Sequence, residues 1–254
     1  MLPGERREQS GVPEVSDAEF VYGINPAFEL MKAKRREILR IFLSESAKSN
    51  PRIAKIAELC GKRQIPLEWM EKGRLISMCE SRDNQGVVVY ASPYPYVDSR
   101  EMGQSDRILL LDNLEDPQNV GAILRSAEIF GFSEVFLPLK GSPGIYPSVV
   151  KASAGASEHL RIARDRNANQ YLKLAKQLGY KIAALDGAGK VELDTLSADA
   201  PEKLMLVIGG EDKGVGQFIL NEADYVVKLP QLGRINSLNA SVAAGVAMYA
   251  LRNA

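Results

Sequence analysis

From Arg107 to Arg252 the chain alternates short apolar runs with stretches of helical spacing, and this alternation restricts the possible folds most. The runs are Ile108–Leu111, Glu134–Leu137, Leu160–Ala163, Lys181–Leu185, Lys203–Val207 and Tyr225–Leu229. Most are too continuously apolar for strands with one wet face. Helical stretches run to Gly131, lie near Ser148, and run to Gly179, Glu222 and Arg252. Apolar strands separated by helices build a mostly parallel sheet covered on both faces. Pattern alone predicts a doubly wound α/β domain.

A smaller alternation precedes it. Between Glu19 and Ala91 the spacing predicts helices at Pro26–Lys32, Pro51–Lys62 and Lys72–Cys79. Strands are expected at Ile38–Leu43, around Leu67, and at Gly86–Tyr90. Ile53, Ile56, Ala57 and Cys60 recur at helical intervals. An α/β/α unit of about 75 residues is small but able to bury a core. The stretch Ser92–Gln104 is proline-rich and then polar, which favours extended, semi-rigid linkage. The expected division is a flexible tail (1–18), a small domain (19–91), a linker (92–104) and a large domain (105–254).

Composition removes several classes of function. One histidine, His159, and two isolated cysteines, Cys60 and Cys79, leave no metal-type spacing and no Ser-His-Asp triad. No metal is expected, and His159 is read as a structural hydrogen-bonding residue. No apolar run approaches the ~20 residues needed to span a bilayer. The polar, mixed-charge start, Met1 to Asp17, is unlike a signal or transit peptide. No membrane partner is expected, and the expected location is cytoplasmic, or the mitochondrial matrix for a processed organellar protein. A net charge of zero counts against bulk nucleic-acid binding. Lys32, Lys34, Arg35, Arg36 and Arg40 form the densest basic run. It is either a phosphate contact for RNA or a solvated helix end.

Three segments carry chemistry. In Leu229–Met248 a β-branched run stops at Pro230, and a polar loop follows with Asn236, Ser237, Asn239 and Ser241 before an alanine-rich helix. A helix start leaves backbone N–H groups free to hold polar ligands, and capping alone needs one such residue. Asn119-Val-Gly-Ala-Ile-Leu-Arg125 follows a buried-looking strand and opens a helix. Ile208-Gly-Gly-Glu-Asp-Lys-Gly-Val215 follows another. Gly209 and Gly210 permit close main-chain approach, or merely turn a strand into a helix. The glycine spacing is not G-x-G-x-x-G, and Glu211 would oppose a pyrophosphate.

Together and in this order, the three segments resemble the signature motifs of the SpoU-type (TrmH-like) RNA ribose 2′-O-methyltransferases of the SPOUT class. The likeness spans roughly residues 105 to 252. It implies an α/β domain ending in a trefoil knot, an exception to unknotted connectivity. It also implies S-adenosylmethionine (AdoMet) as methyl donor, with the backbones of Gly209, Leu229 and Leu238 lining its slot. Arg125 takes the family's catalytic position, and Glu211 the position that organises Asn119 and Arg125. Ser237 and Asn239 complete the polar shell, while Asn236 and Ser241 rank as ordinary loop and helix caps. The family segment matching Lys151-Ala-Ser-Ala-Gly-Ala-Ser-Glu-His159 makes no chemical use of the histidine. A guanidinium deprotonates only above pH ~12. Arg125 is therefore better described as a clamp on the target phosphate that stabilises the emerging alkoxide than as a base.

Two further expectations follow from resemblance. Tyr22-Gly-Ile-Asn-Pro26 and Asn84-Gln-Gly-Val-Val88 resemble the N-terminal RNA-binding domain of many such enzymes, a domain similar to ribosomal protein L30e. Its presence points toward the bacterial 23S rRNA guanosine enzymes and their mitochondrial relatives. A guanosine of large-subunit ribosomal RNA is thus the expected substrate. The alternatives are a tRNA ribose methyltransferase and a non-catalytic RNA-binding protein of the same fold. The family also forms homodimers through its last helix, here Ala240–Tyr249, which is rich in small residues. Ala247 is expected on that interface.

Overall fold

The computed structural model describes residues 18–234 and 237–252. The tail expected over residues 1–18 lies outside it except for Ala18, and so does Asn236. The chain divides into two compact units. The smaller comprises residues up to Ala27 together with Arg36–Pro93, and the larger comprises Phe28–Arg35 and everything from Tyr94 on.

The smaller unit is built on β1 (Glu19–Tyr22), β2 (Ile38–Ser44), β3 (Leu67–Met70) and β4 (Val87–Ala91). Their order is β1-β4-β2-β3, with β2 and β3 parallel and the other pairs antiparallel. Helix α1 (Ile24–Ala33) starts in this unit, which also holds α2 (Pro51–Arg63) and α3 (Lys72–Cys79). α2 shows why the sequence signal was clear. Pro51 opens it, the Asn50 side chain accepts the Arg52 N–H, and Gln64 ends it in a left-handed conformation. Ile53, Ile56 and Cys60 form its buried stripe, and burial raises the Cys60 thiol pKa to about 11. β1 was not expected. Four residues carry too short an alternation, and pairing with β4 holds them extended.

Most of the basic run is committed to structure. Arg36 is buried and bonds the Ser92 carbonyl at 2.7 Å and Glu19 at 2.6 Å. Arg40 pairs with Glu68 at 3.2 Å. Within the larger unit, Arg35 donates to the carbonyls of Pro95, Glu158 and Leu160, and Lys32 pairs with Glu29. His159 also bonds Glu29, at 2.9 Å. The three guanidinium groups are held by carbonyls and carboxylates, which leaves Lys32 and Lys34 as the exposed cations of the run.

The larger unit runs β5 (Arg107–Asp112), α4 (Pro117–Ile129), β6 (Glu134–Phe136), α5 (Pro147–Ala152), β7 (Arg161–Ala163) and α6 (Ala168–Gln177). It continues with β8 (Lys181–Leu185), β9 (Val191–Glu192), α7 (Leu193–Ala198) and β10 (Leu204–Gly209). α8 (Gln217–Glu222), β11 (Tyr225–Lys228) and α9 (Ala240–Leu251) complete it. The seven strands form one sheet in the order β7-β6-β5-β10-β8-β11-β9, and every described pair is parallel. Leu109, Leu110, Leu206 and Val207 at its centre are fully buried, as a sheet covered on both faces requires. β9 and α7 have no counterpart among the expected elements; β9 is two residues held extended by pairing with β11, and α7 follows it directly.

The residues expected as linker belong to the larger unit from Tyr94 on. The buried Tyr94 hydroxyl donates to the Ser157 carbonyl at 2.8 Å, and Val97 N–H reaches Ile162 O of the edge strand β7. Met102 enters the core, and the buried Glu134 carboxylate accepts from the N–H groups of Gly103, Gln104 and Ser105. Proline-imposed extension lays this stretch along the sheet edge.

α9 packs on α4. Ala240, Ala244, Ala247, Met248 and Leu251 are its buried residues. Ala247 is fully buried, so it is a packing position within the chain and not a surface one. Val242, Val246 and Tyr249 remain about half exposed at helical spacing. Among the described residues no helix is long and apolar enough to cross a membrane, and no cluster of ligating side chains is placed to hold a metal ion.

Candidate active site

In open parallel sheets, ligands bind beyond the carboxyl ends of strands where the strand order reverses. From β5 the chain steps outward through β6 to β7, then returns to build β8, β10 and β11 on the other side. A cleft of about 410 Å³ opens at the ends of β8, β10 and β11. Leu185, Ile208, Gly209 and Leu229 end or follow those strands and form its floor, while Ser237, Leu238 and Asn239 close one side.

The loop after β10 is held by main-chain contacts that only glycine allows. A Cβ on Gly210 would stand 1.9 Å from the Asn113 carbonyl oxygen, and one on Gly209 would stand 2.3 Å from the Gly214 backbone. Gly210 N–H donates to Asp112 O, and Gly214 N–H donates back to Gly210 O. The buried Asp112 carboxylate accepts the Gly216 N–H at 2.8 Å. Its burial pushes that carboxyl above the usual carboxylate range, with the Gly216 hydrogen bond opposing the rise. Neither Asp112 nor its role was visible in the sequence, where an aspartate ending a strand looks like any loop residue.

One side chain ties three loops together. Glu211 Oε1 accepts Asn119 Nδ2 at 3.1 Å, Asn239 Nδ2 at 2.6 Å and the Ala240 N–H at 3.3 Å. Asn239 Nδ2 also donates to Asn119 Oδ1 at 2.9 Å. The Asn239 Oδ1 caps α9 by accepting the Ser241 and Val242 N–H groups, while Asp116 caps α4 through Gln118 and Asn119. The Asn239 side chain is thus fixed by the helix it caps, and the Asn119 backbone by the cap of α4. A second, smaller hollow of about 210 Å³, with Asn119, Asp116 and Lys213 on its wall, shares Gly210 and Glu211 with the cleft.

Of the residues the sequence singled out, Gly209, Glu211, Leu229, Ser237, Leu238 and Asn239 line the cleft. Asn119 touches it through Glu211. Arg125 does not. It sits in the third turn of α4, exposed, and no hydrogen bond or ion pair reaches it from the described residues. The expected Arg125–Glu211 pair is therefore not made among the described residues: Glu211 meets α4 at Asn119, and Arg125 lies six residues further along that helix, about 9 Å of axial rise. Ser241 bonds Asn239 as a cap residue. Sequence reading missed Asp186, which lies on the cleft wall beyond β8.

The fold and cleft define an α/β protein with a ligand slot at the switch point of a parallel sheet, walled by glycine main chain and two carboxylates. A model of the SpoU rRNA Methylase family matches residues 106–249, and one for RNA 2′-O ribose methyltransferase substrate binding matches residues 20–97. The chain belongs to the SpoU rRNA Methylase family. Its relatives include a putative TrmH family tRNA/rRNA methyltransferase, YacO, of Bacillus subtilis strain 168. The two are 32% identical across 91% of this chain and 94% of the relative. The fold is similar to that of an AdoMet-bound rRNA methyltransferase from Sinorhizobium meliloti, with a TM-score of 0.77, 21% identity, and 93% and 87% of the two chains covered. A solved protein described for 2-OH methylation of C/U34 on tRNA is 27% identical at a TM-score of 0.50. It is covered over 93% of its own length but only 57% of this chain.

Proposed function

We propose that the protein transfers a methyl group from AdoMet to a ribose 2′-hydroxyl of RNA, with a guanosine of large-subunit ribosomal RNA as target. The observation that carries this reading is the cleft itself, with Glu211, Asn119 and Asn239 bonded together at its mouth. The apolar floor suits an adenosyl group. The charged residues on the described wall are Asp186 and Glu211, both carboxylates, which suit a cation and disfavour a pyrophosphate. AdoMet supplies an electrophilic methyl carbon on a positively charged sulfur. Gly209, Leu229 and Leu238 would hold it through their backbones. Glu211, Asn119, Asn239 and Ser237 would fix the mouth of the cleft, where the ribose enters.

Arg125 would grip the phosphate next to the target and stabilise the oxygen as its proton leaves. It is absent from its own chain's cleft wall, which supports a homodimer in which each Arg125 serves the partner's cleft. The exposed stripe of Val242, Val246 and Tyr249 on α9 supports the same pairing. A two-fold axis would cover that patch on both subunits. Val246→Asp is expected to yield a folded monomer with wild-type melting, read by mass in solution. Ala247→Arg, at a buried position, should instead lower the melting temperature. A Val246→Asp protein that stays dimeric places the interface elsewhere. A C-terminal trefoil knot is part of this proposal, supported by the return of Asn239 and Ala240 to Glu211 where α9 begins.

Preference for ribosomal RNA is supported by the match of residues 106–249 to the SpoU rRNA Methylase model, together with the substrate-binding match over residues 20–97, whereas the tRNA C/U34 protein covers only 57% of this chain. Mapping 2′-O-methyl positions in RNA from cells with and without the protein tests it. Loss of one position in large-subunit rRNA is expected; loss confined to tRNA would reverse the assignment.

A further inference from the structure

We propose that Asp186 selects the ribose of the methyl donor, its free carboxylate oxygen accepting hydrogen bonds from the vicinal hydroxyls. This rests on the reading of the cleft as the AdoMet site. Asp186 is the first residue beyond β8, the strand between β10 and β11, and it stands on the cleft wall. Its backbone is held at both ends. The N–H donates to Val227 O at 2.9 Å, and the carbonyl accepts Gly189 N–H at 3.0 Å. Gly189 cannot be replaced without strain, since a Cβ there would lie 2.7 Å from Val226 O.

The carboxylate is oriented as well. Oδ1 accepts the Ala188 N–H at 2.8 Å, which stops the group from rotating. Oδ2 receives no hydrogen bond or ion pair from the described residues. It faces Gly214, lying 3.8 Å from where a Cβ of that residue would stand. A larger residue at 214 would crowd the approach to this oxygen. A fixed carboxylate beyond the carboxyl end of a parallel strand is the arrangement that pairs with ribose hydroxyls in α/β nucleotide sites. The two cleft carboxylates hold different things with their bonded oxygens. Glu211 Oε1 ties the side chains of Asn119 and Asn239 and the start of α9 together, whereas Asp186 Oδ1 bonds only within its own loop, through the Ala188 N–H. A negative wall here also rejects a nucleoside carrying phosphate on the same hydroxyls.

Calorimetry on the full chain separates this role from a structural one. The ligands are AdoMet, S-adenosylhomocysteine and the 2′-deoxy form of S-adenosylhomocysteine, titrated into wild type and Asp186→Asn. Asparagine keeps Oδ1 for the Ala188 N–H, and thermal melting verifies that the variant is folded. For the wild type, removing the 2′-hydroxyl should weaken binding about 10- to 100-fold, the range for a hydrogen bond to a charged group. Asp186→Asn should weaken S-adenosylhomocysteine by a similar factor, yet bind its 2′-deoxy form almost as well. Two losses that simply multiply would overturn the proposal. So would a loss for AdoMet with S-adenosylhomocysteine unaffected, because the carboxylate would then face the sulfonium. A wild type that binds neither AdoMet nor S-adenosylhomocysteine overturns the donor reading itself, and this proposal with it.

Discussion

Two sets of cations in this chain have opposite fates. Five of them crowd into Lys32–Arg40, and four of those five are tied to carbonyls or carboxylates, Arg36 with its guanidinium buried. Arg125 stands alone on α4, with no basic neighbour for several residues on either side and no hydrogen-bond or ion-pair partner among the described residues. A guanidinium held by structure has used the donors it would offer to a phosphate. One left in solvent keeps its planar fork available. Charge density in a sequence says where cations are, and partner geometry says which of them are free to act.

The comparison is broken most severely if Arg125 proves dispensable. Arg125→Ala is expected to slow methyl transfer about 10²- to 10³-fold, the cost of removing one preorganised donor from a developing oxyanion. Its AdoMet affinity and melting temperature should stay close to wild type, because the side chain touches neither the cleft nor the core. Arg125→Lys should recover little, since a point charge lacks the fork. Activity and ligand binding measured on the same preparation decide it.

Arg36 should show the reverse pattern. Arg36→Ala removes the buried partner of Glu19 and of the Ser92 carbonyl. A loss of about 2–3 kcal/mol is expected, below the full cost of breaking a buried pair because Glu19 is partly exposed. Denaturant titration reads it. Weakened RNA binding at unchanged stability would return Arg36 to the phosphate-binding role its position in the basic run suggested.

Asp112 gives the smallest effect and refines the same distinction on the acidic side. Its folded-state pKa is raised by burial, so the folded protein takes up this proton more readily than the unfolded chain. Above the folded pKa the buried charge destabilises the fold, and stability recovers as pH falls through it. Asp112→Asn removes that charge while keeping an acceptor for the Gly216 N–H. The variant should melt at or slightly above wild type near neutral pH. The two should converge as pH falls below the ordinary carboxylate range. A variant markedly less stable at neutral pH would mean that the charge itself holds the loop.

How much of this was legible follows from the length over which each feature is written. The parallel sheet was readable because buried strands such as Leu109–Leu111 and Leu204–Ile208 are continuous apolar runs. Single positions were harder. β9, Asp112 and Asp186 are each one or two residues at a strand end, and their meaning depends on which strand lies beside them. The three motif loops were found, and Glu211, Asn119 and Asn239 do meet. The missing contact of Arg125 with Glu211 could not be read, because motif order carries no information on whether two residues meet within one chain. Ala247 was misplaced for a related reason. A helix of small apolar residues hides which face is buried, and only its packing on α4 distinguishes Ala247 from Val246.

The most direct test of the whole account is to find where the methyl group ends up. Purified protein, AdoMet labelled in its methyl group and unmodified ribosomal RNA are incubated together, and the RNA is then hydrolysed in alkali. A ribose 2′-O-methyl group blocks cleavage at its own nucleotide, so the label should appear in a single alkali-resistant dinucleotide and should vanish with Arg125→Ala. Label recovered in an ordinary mononucleotide, on the base, would contradict ribose transfer. Label absent from every RNA offered, from a protein that binds AdoMet, would contradict catalysis.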